Sequence, residues 1–475
     1  MDKNLSQLFI NGDYYKGTEG AKRVLVNPYT EAPEWETTLG SAEDIDLAVK
    51  GAQNAFVDGW RDMTPGKRTE ILFKLARLIR EQLEELARIE STNIGKPISD
   101  ARDEIALGAR IFEYYAGAIT LFYGETIPVS KGGLDITLRQ PLGVVGAIVP
   151  WNFPFPITCW KVAPALAAGN CVVLKPALLS PFTALKLGEL AAAAGLPPGV
   201  LQVVTGGGSE TGSALVNHPL TRKISFTGST QVGRQIMRQA ADGIKRISLE
   251  LGGKSPNIVF ADCNLEEAAS SSPMAVYGNA GQDCCARSRV FVEEKVADQF
   301  MEIFLEKTKS LNMGAPGAPS TQIGPLISRE RRDEVLSYIQ SESADHLLLG
   351  GKSADRKGFF VEPTVIFQPD LNARVWKEEI FGPVVCIRTF KDEDLMLKEV
   401  NDSPYGLSAS IWTNDIKRAF RVSRKVESGV VSVNSHSSVH VEAPFGGFKQ
   451  SGIGRDLGLH ALEGYTELKN IYFGL

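Results

Sequence analysis

Phe226-Thr227-Gly228-Ser229-Thr230-Gln231-Val232-Gly233 follows a short β-type run and opens a helical one. At such a step the first helical N–H groups and the positive end of the helix dipole face any anion placed there. Gly228 admits a close backbone approach, and Ser229 can both cap the helix and donate to a phosphate. The stretch is neither GxGxxG nor a P-loop, and an ordinary Gly/Ser helix cap has the same local pattern. Its surroundings decide the reading. Short apolar or β-branched runs at 144–149, 171–174, 201–204, 224–226 and 247–249 alternate with helical patterns at 181–194, 209–217 and 229–240. That alternation predicts a parallel sheet with crossover helices, an α/β doubly wound, Rossmann-like domain. Such sheets bind ligands at the carboxyl ends of their strands.

Outward from this block, Ser41-Ala42-Glu43-Asp44 predicts a capped helix start, with Ile45, Val49, Ala52 and Phe56 on one face. Thr64-Pro65 predicts a longer helix with Ile71, Leu75, Ile79, Leu83 and Leu86 as its stripe. Around Lys131-Gly132-Gly133 the 124–139 segment reads as a hairpin. Beyond 284 a second α/β pattern follows, with helices at 296–311 and 328–342 and strands near 359–367 and 384–390. The 465–473 stretch alternates like an edge strand and is expected to pair with the 124–139 hairpin across a subunit boundary.

The 475-residue chain is 43% hydrophobic and 23% charged, with net charge −5 and no basic block, so nucleic acid and anionic membranes are not expected partners. No 18-residue apolar run occurs and the first residues lack an apolar signal core, which points to the cytoplasm. Six cysteines without a CxxC pair, and five histidines without an HExxH spacing, predict neither a disulfide framework nor a metal site.

Three loops carry candidate chemistry. Asn279-Ala-Gly-Gln-Asp-Cys-Cys-Ala-Arg-Ser-Arg289 sets two adjacent cysteines after a Gly-Gln turn, so Cys284 is either a thiol nucleophile or a small buried hydrophobe. Glu250-Leu-Gly-Gly-Lys-Ser-Pro256 places a glutamate at a strand's carboxyl end, where it is either a buried and so useful base or a surface glutamate at a turn. Pro150-Trp151-Asn152-Phe153-Pro154 holds an amide among prolines, fit to donate to an oxyanion or only to pack.

Taken with Leu174-Lys175-Pro176, Glu379-Ile-Phe-Gly-Pro383 and Pro444-Phe-Gly-Gly-Phe-Lys449, these motifs resemble the NAD(P)-dependent aldehyde dehydrogenases over essentially the whole chain. The resemblance implies a dinucleotide-binding domain at 1–122 and 140–250, a catalytic domain at 251–450, and an oligomerisation arm at 123–139 and 463–475. It implies oxidation of an aldehyde to the acid by a homodimer or homotetramer. Cys284 would attack the aldehyde, and Asn152 with the Cys284 N–H would hold the oxyanion. Glu250 would activate the water that hydrolyses the thioester, with Lys161 and Asp456 as a proton relay. Asp456 is one methylene shorter than the family's glutamate, which puts that relay's geometry in question. For the cofactor the resemblance implies Lys175 at the adenosine ribose, Ser229 at the phosphates and Glu379 at the nicotinamide ribose. Trp151 and Phe381 would pack along it, with Pro150, Gly208, Phe226, Gly228, Val232 and Leu251 also lining the site. Leu178 stands where NAD-preferring members carry a ribose-binding glutamate, so NAD is expected with NADP tolerated. Tyr115, Phe153, Trp160, Tyr277 and Phe445 would line an aromatic substrate tunnel, with Asp283 adding a negative charge or only capping a turn. Two alternatives stand beside this reading: a thiol hydrolase using Cys284 with His436 or His440, and a non-catalytic structural relative.

Overall fold

Five parallel strands form the centre of the first sheet, in the spatial order Arg246–Glu250, Thr221–Thr227, Val144–Ile148, Cys171–Lys175, Leu201–Val203. Val144–Ile148 comes first in the chain. The next two strands add on one side of it and the last two on the other. Strand order therefore reverses between Val144–Ile148 and Thr221–Thr227, where the loops leaving the two strands diverge and open a crevice. Those loops are Pro150-Trp151-Asn152 and Gly228-Ser229. This computed structural model, which describes residues 3–474, thus has the doubly wound arrangement expected.

Antiparallel additions close the sheet's edges. Leu8–Ile10 pairs with Leu201–Val203 and carries Asp13–Tyr15, and Gly452–Ile453 pairs with Arg246–Glu250. The chain beyond 450 thus returns to the first sheet beside Glu250. The second sheet runs Leu347–Leu349, Thr364–Phe367, Val384–Phe390, Arg289–Glu293, Pro256–Val259, Ser408–Trp412, Val430–Val433, parallel except for the first. The expected strand at 359–367 is confined to Thr364–Phe367, because Pro363 has no N–H to give to a ladder.

Local signals account for the helices. Ser41 Oγ accepts from the Asp44 N–H while the Asp44 carboxylate accepts from the Ser41 N–H, starting Ala42–Ala55. Ile45, Val49 and Ala52 are buried as expected, but Phe56 lies past the helix and is half-buried. The single stripe expected from Ile71 to Leu86 is divided between two helices, Pro65–Glu81 and Leu83–Ile94, with Gln82 at φ −104° between them. A repeat of four drifts against 3.6 residues per turn, and the break returns Leu86 to the core.

Thr466–Phe473 pairs antiparallel with Leu134–Pro141 along its whole length, and Thr126–Ile127 adds to the other edge. The expected pairing is therefore correct, but it forms within one chain and not across a subunit boundary. Asn170 explains this. Fully buried, it donates to the Tyr465 carbonyl at 2.9 Å and the Ala165 carbonyl at 3.2 Å, and accepts from the Gly143 N–H at 3.0 Å, tying the returning tail to the first sheet. No helix of the described residues is long and apolar enough to cross a membrane.

Replacing Asn170 with Ala takes their partner from the Tyr465 carbonyl and the Gly143 N–H in the interior, while the Ala165 carbonyl keeps the Asn170 backbone N–H. We expect Asn170→Ala to lower stability by about 3 kcal/mol, measured as an earlier denaturation midpoint; an unchanged midpoint would show that the tail is held by other contacts.

Candidate active site

The approach to Cys284 is an unusual piece of backbone. Asn279, Ala280 and Gly281 have φ of 50°, 55° and 72°, three left-handed residues in succession, of which only glycine adopts that conformation freely. Gly281 also has no room for a side chain, since a Cβ there would strike the Gly382 carbonyl. Side chains fix the rest of the turn. Gln282 Nε2 donates to the Asn279 carbonyl at 3.1 Å and Gln282 Oε1 accepts from the Ile327 N–H at 2.9 Å.

This turn and the Trp151-Asn152 loop clamp each other. Asn152 Nδ2 donates to the Gln282 carbonyl at 2.9 Å, and Asn279 Nδ2 donates to the Asn152 carbonyl at 3.0 Å. Lys96, a residue sequence reasoning missed, donates to the same Asn152 carbonyl at 2.8 Å and pairs with Glu104 at 2.5 Å. The Gly252-Gly253 turn completes the frame. A Cβ on Gly253 would collide with the Cys284 carbonyl, and the Gly253 N–H donates to Glu379 Oε1 at 2.9 Å.

Cys284 is half-buried and lies in the wall of two cavities at once. One, of about 380 Å³, is lined by Phe153, Trp160, Phe445, Asp283 and Glu250, with Trp160 and Phe445 edge-to-face at 5.0 Å. The other, of about 400 Å³, is lined by Pro150, Trp151, Asn152, Gly228, Ser229, Leu251, Glu379 and Phe381, with Trp151 and Phe381 edge-to-face at 5.4 Å. Ser229 caps the Thr230–Ala241 helix, whose N-terminus opens on this second cavity. Helix-end donors for phosphates, a carboxylate for ribose hydroxyls and aromatic walls for a ring are what a dinucleotide requires.

Four residues expected at the cofactor lie outside that wall. Lys175 Nζ is turned to the Pro176 and Gly206 carbonyls at 3.1 and 3.0 Å, and burial pushes it down to about 8. Phe226 is buried beneath Gly228, Val232 gives its N–H to Ser229 Oγ, and Gly208 is exposed in the next loop. Two tunnel residues are corrected outright. Tyr115 and Tyr277 are fully buried, with hydroxyls on the Gly458 and Thr364 carbonyls at 3.1 and 3.2 Å, and neither reaches the first cavity. Aromatic character was the only signal for them, and it also fits core packing.

The electrostatics distinguish the acids. Glu250 is buried, and neither of its oxygens finds a hydrogen-bond partner among the described residues. Burial, then the Asp456 charge, hold it well above the usual carboxylate range, against the pull of Lys161 and Arg455. Lys161 and Asp456, both buried, meet at 2.9 Å. Burial raises Glu379 to about 7 despite the Gly253 N–H. The neighbouring Cys285 thiol and burial push the Cys284 thiol up, which favours the protonated sulfur before substrate and cofactor arrive. Asp283 accepts from the Cys285 N–H at 2.8 Å, as a turn-capping residue does.

Arg287, which sequence reasoning missed, and His436, named there only as a base for a thiol hydrolase, also line the first cavity. Arg287 is buried, and its donors go to the hydroxyls of Ser408, Ser410 and Ser438 and the carbonyls of Cys285 and His436. His436 has one ring nitrogen against Ser410 Oγ at 3.0 Å and the other against Ser272 Oγ at 3.4 Å, and burial, then Arg287, lower it to about 3. A lone Arg three residues past a cysteine gives no signal in sequence.

The model of the aldehyde dehydrogenase family matches residues 14–471. The chain is 46% identical to NADP/NAD-dependent aldehyde dehydrogenase PuuC of Escherichia coli, over 100% of this chain and 98% of that protein. A solved NAD+ complex of aldehyde dehydrogenase from Bacillus cereus superposes with a TM-score of 0.96 at 42% identity, covering 98% of this chain and 96% of that one. Aldehyde dehydrogenase KauB from Pseudomonas aeruginosa superposes at 0.97 with 40% identity, covering 99% and 97%. With crevice, strand order and motif loops agreeing along the whole length, the chain belongs to the aldehyde dehydrogenase family, NAD(P)-dependent oxidoreductases that oxidise aldehydes.

Proposed function

We propose that Cys284 is the nucleophile, Asn152 the oxyanion donor and Glu250 the hydrolytic base of this aldehyde oxidation. The observation that carries the assignment is the place of Cys284 in the wall between the two cavities. A sulfur there meets an aldehyde from one side and a hydride acceptor from the other. Cys284 loses its thiol proton to water in the open cavity, its sulfur adds to the aldehyde carbon as the C=O π bond breaks, and the Asn152 amide and the Cys284 N–H take the charge that grows on oxygen. NAD(P)+ bound in the second cavity supplies the hydride acceptor. Loss of hydride leaves a thioester on Cys284, and Glu250 takes a proton from the water that hydrolyses it. Glu250 suits this role because burial has raised its proton affinity.

Ser229 and the helix start behind it would hold the phosphates, and Glu379 the ribose beside the reacting ring, with Trp151, Phe381, Pro150, Gly228 and Leu251 as walls. Lys175, Gly208, Phe226 and Val232 shape the far end of the site. NAD is the proposed cofactor with NADP accepted, since the uncharged Leu178 offers no carboxylate to repel a 2′-phosphate. The relative named for use of NADP and NAD agrees with this.

For substrate, the first cavity favours an apolar or amino-bearing aldehyde. Its wall is aromatic and carries Asp283 and Glu104, while the donors of Arg287 are already engaged and give a substrate carboxylate no partner. A thiol hydrolase is disfavoured because hydroxyls face both nitrogens of His436 and hold it away from the base role. A non-catalytic relative would have no need of Asn152, Glu250 and Cys284 around two open cavities. The divisions proposed are 1–122 with 140–250 for the cofactor, 251–450 for catalysis, and 123–139 with 463–475 as an arm. Leu138, Leu468, Tyr472 and Phe473 stand exposed on that arm, which supports a homodimer or homotetramer. Six free thiols fit a cytoplasmic home.

Cys284→Ala is expected to abolish NADH formation with every aldehyde while NAD+ binding, read by calorimetry, persists. Glu250→Gln should still produce a first turnover of NADH and then slow by roughly 10²–10⁴-fold; full turnover by that variant would remove Glu250 from the mechanism.

Titrated side by side, NAD+ should bind at least as tightly as NADP+. An NADP+ affinity more than about tenfold higher would overturn the reading of Leu178.

A further inference from the structure

Three successive residues, Asp283, Cys284 and Cys285, face the first cavity together. Their donor atoms, one carboxylate oxygen and two sulfurs, all lie within 4.8 Å of one another. The assigned reaction steps use Cys284 and leave the second sulfur without a role. In a strand, neighbouring side chains would point to opposite faces. Cys284 and Cys285 lie instead in a turn, entered from the left-handed run at Asn279–Gly281, and both thiols reach the same space. Adjacency in a turn thus brings together what CxxC or HExxH spacing brings together on regular elements, and neither of those spacings occurs in the chain.

Distance and charge both suit a metal ion. Zinc binds thiolate sulfur at about 2.3 Å in a tetrahedron, which sets two sulfurs roughly 3.8 Å apart. A disulfide would need them at about 2.05 Å, across a ring closed by a single peptide bond. The metal asks for the smaller movement. Two thiolates and a carboxylate around a dication leave one net negative charge. Arg287 balances it: the guanidinium is buried, Nη1 donates to the Cys285 carbonyl, and Cys285, Asp283 and Cys284 are the groups whose charges act on it most. Asp283 is also held in place. It accepts from the Cys285 N–H at 2.8 Å, the kind of bond that fixes a ligating carboxylate while leaving it further lone pairs. His436 lines the same cavity but supplies no ligand, because hydroxyls of Ser410 and Ser272 face its two nitrogens. The fourth position is therefore left to water from the cavity, whose volume of about 380 Å³ gives an ion a way in. Two sulfurs select zinc and other thiophilic cations over magnesium or calcium.

We propose that Asp283, Cys284 and Cys285 form a reversible inhibitory site for a thiophilic divalent cation of the zinc type. Its inhibitory effect rests on Cys284 being the nucleophile. On binding, each S–H bond is replaced by an S–metal bond, the two protons pass to solvent, and the Asp283 carboxylate adds a third bond. No oxidation or reduction occurs, so a chelator reverses the event. With its sulfur lone pair held by the metal, Cys284 cannot add to an aldehyde carbon. An acyl group on Cys284 has the converse effect, since it removes one of the two sulfurs and protects the enzyme while it turns over. Cys285 touches no reacting atom. Its sulfur turns a single weak thiol ligand into a chelate, and that is the difference between this site and an ordinary active-site cysteine.

The test takes the intact enzyme with NAD+ and propanal, titrates it with zinc chloride and follows NADH absorbance. Zinc is expected to stop turnover, and excess EDTA to restore it. In Cys285→Ser, turnover without zinc should stay within about twofold of wild type, while the zinc concentration for half-inhibition rises at least about tenfold. Cys285→Ala serves if the serine variant fails to fold. Cobalt(II) gives a readout that does not depend on activity. Its thiolate-to-metal absorption in the near ultraviolet should appear in the wild type and be about half as intense per bound ion in Cys285→Ser. Half-inhibition of Cys285→Ser at the wild-type zinc concentration overturns the site. So does cobalt bound without a thiolate band. If the zinc-free wild type gives no NADH with any aldehyde, the assignment of function fails instead, and the cobalt band still reports on the site.

Discussion

The site depends on two backbones brought closer than side chains permit. The Gly252-Gly253 turn ends the first sheet's contribution at Glu250 and leads into the second sheet, while Cys284 precedes the second sheet's Arg289–Glu293 strand. A Cβ at Gly253 would strike the Cys284 carbonyl, and one at Gly252 would strike the Glu379 carboxylate. Two glycines therefore fix how near Glu250, Cys284 and the Glu379 carboxylate come to one another. The left-handed run at Asn279–Gly281 is the complementary constraint from the other strand. Strain of this kind, of order 1–3 kcal/mol per non-glycine residue, persists only when surrounding bonds over-determine it. Here the Asn152–Gln282 and Asn279–Asn152 bonds do so.

Packing of this density has an electrostatic consequence. Burial lifts Glu250 and Glu379 and lowers Lys175, Lys223 and Lys254, so several groups that are fully charged in water sit near their titration points. Such clustering marks functional sites more than structural ones. Arg287 and Lys96 behave differently. Each is saturated with bonds to backbone or fixed side chains, and each serves to hold a loop.

Much of this was legible in sequence because it is local. The alternation from 144 to 250, the Ser41 and Ser229 caps and the strand-end loops follow from periodicity and turn chemistry, and the resulting fold stands. What escaped depends on distant chain. Lys96 joins the site only because its ammonium meets Asn152, 56 residues on. Tyr115 and Tyr277 look like tunnel aromatics until the Gly458 and Thr364 carbonyls are seen to claim their hydroxyls. The tail's pairing partner was right and its chain assignment wrong, since an edge strand has the same pattern in either setting.

Asp456 shows why side-chain length alone misleads. Judged by composition, a carboxylate one methylene shorter should fall short of Lys161. The backbone compensates, because Asp456 is locked in a two-way bridge with Phe445, N–H to carbonyl at 2.7 and 2.8 Å. Phe445 in turn packs on Trp160, the residue immediately before Lys161. The carboxylate is thus carried toward the helix that bears Lys161, and the ion pair closes at 2.9 Å with both partners out of water. Its second oxygen stays uncommitted beside an equally uncommitted Glu250. A buried pair left half-satisfied is a poor stabiliser.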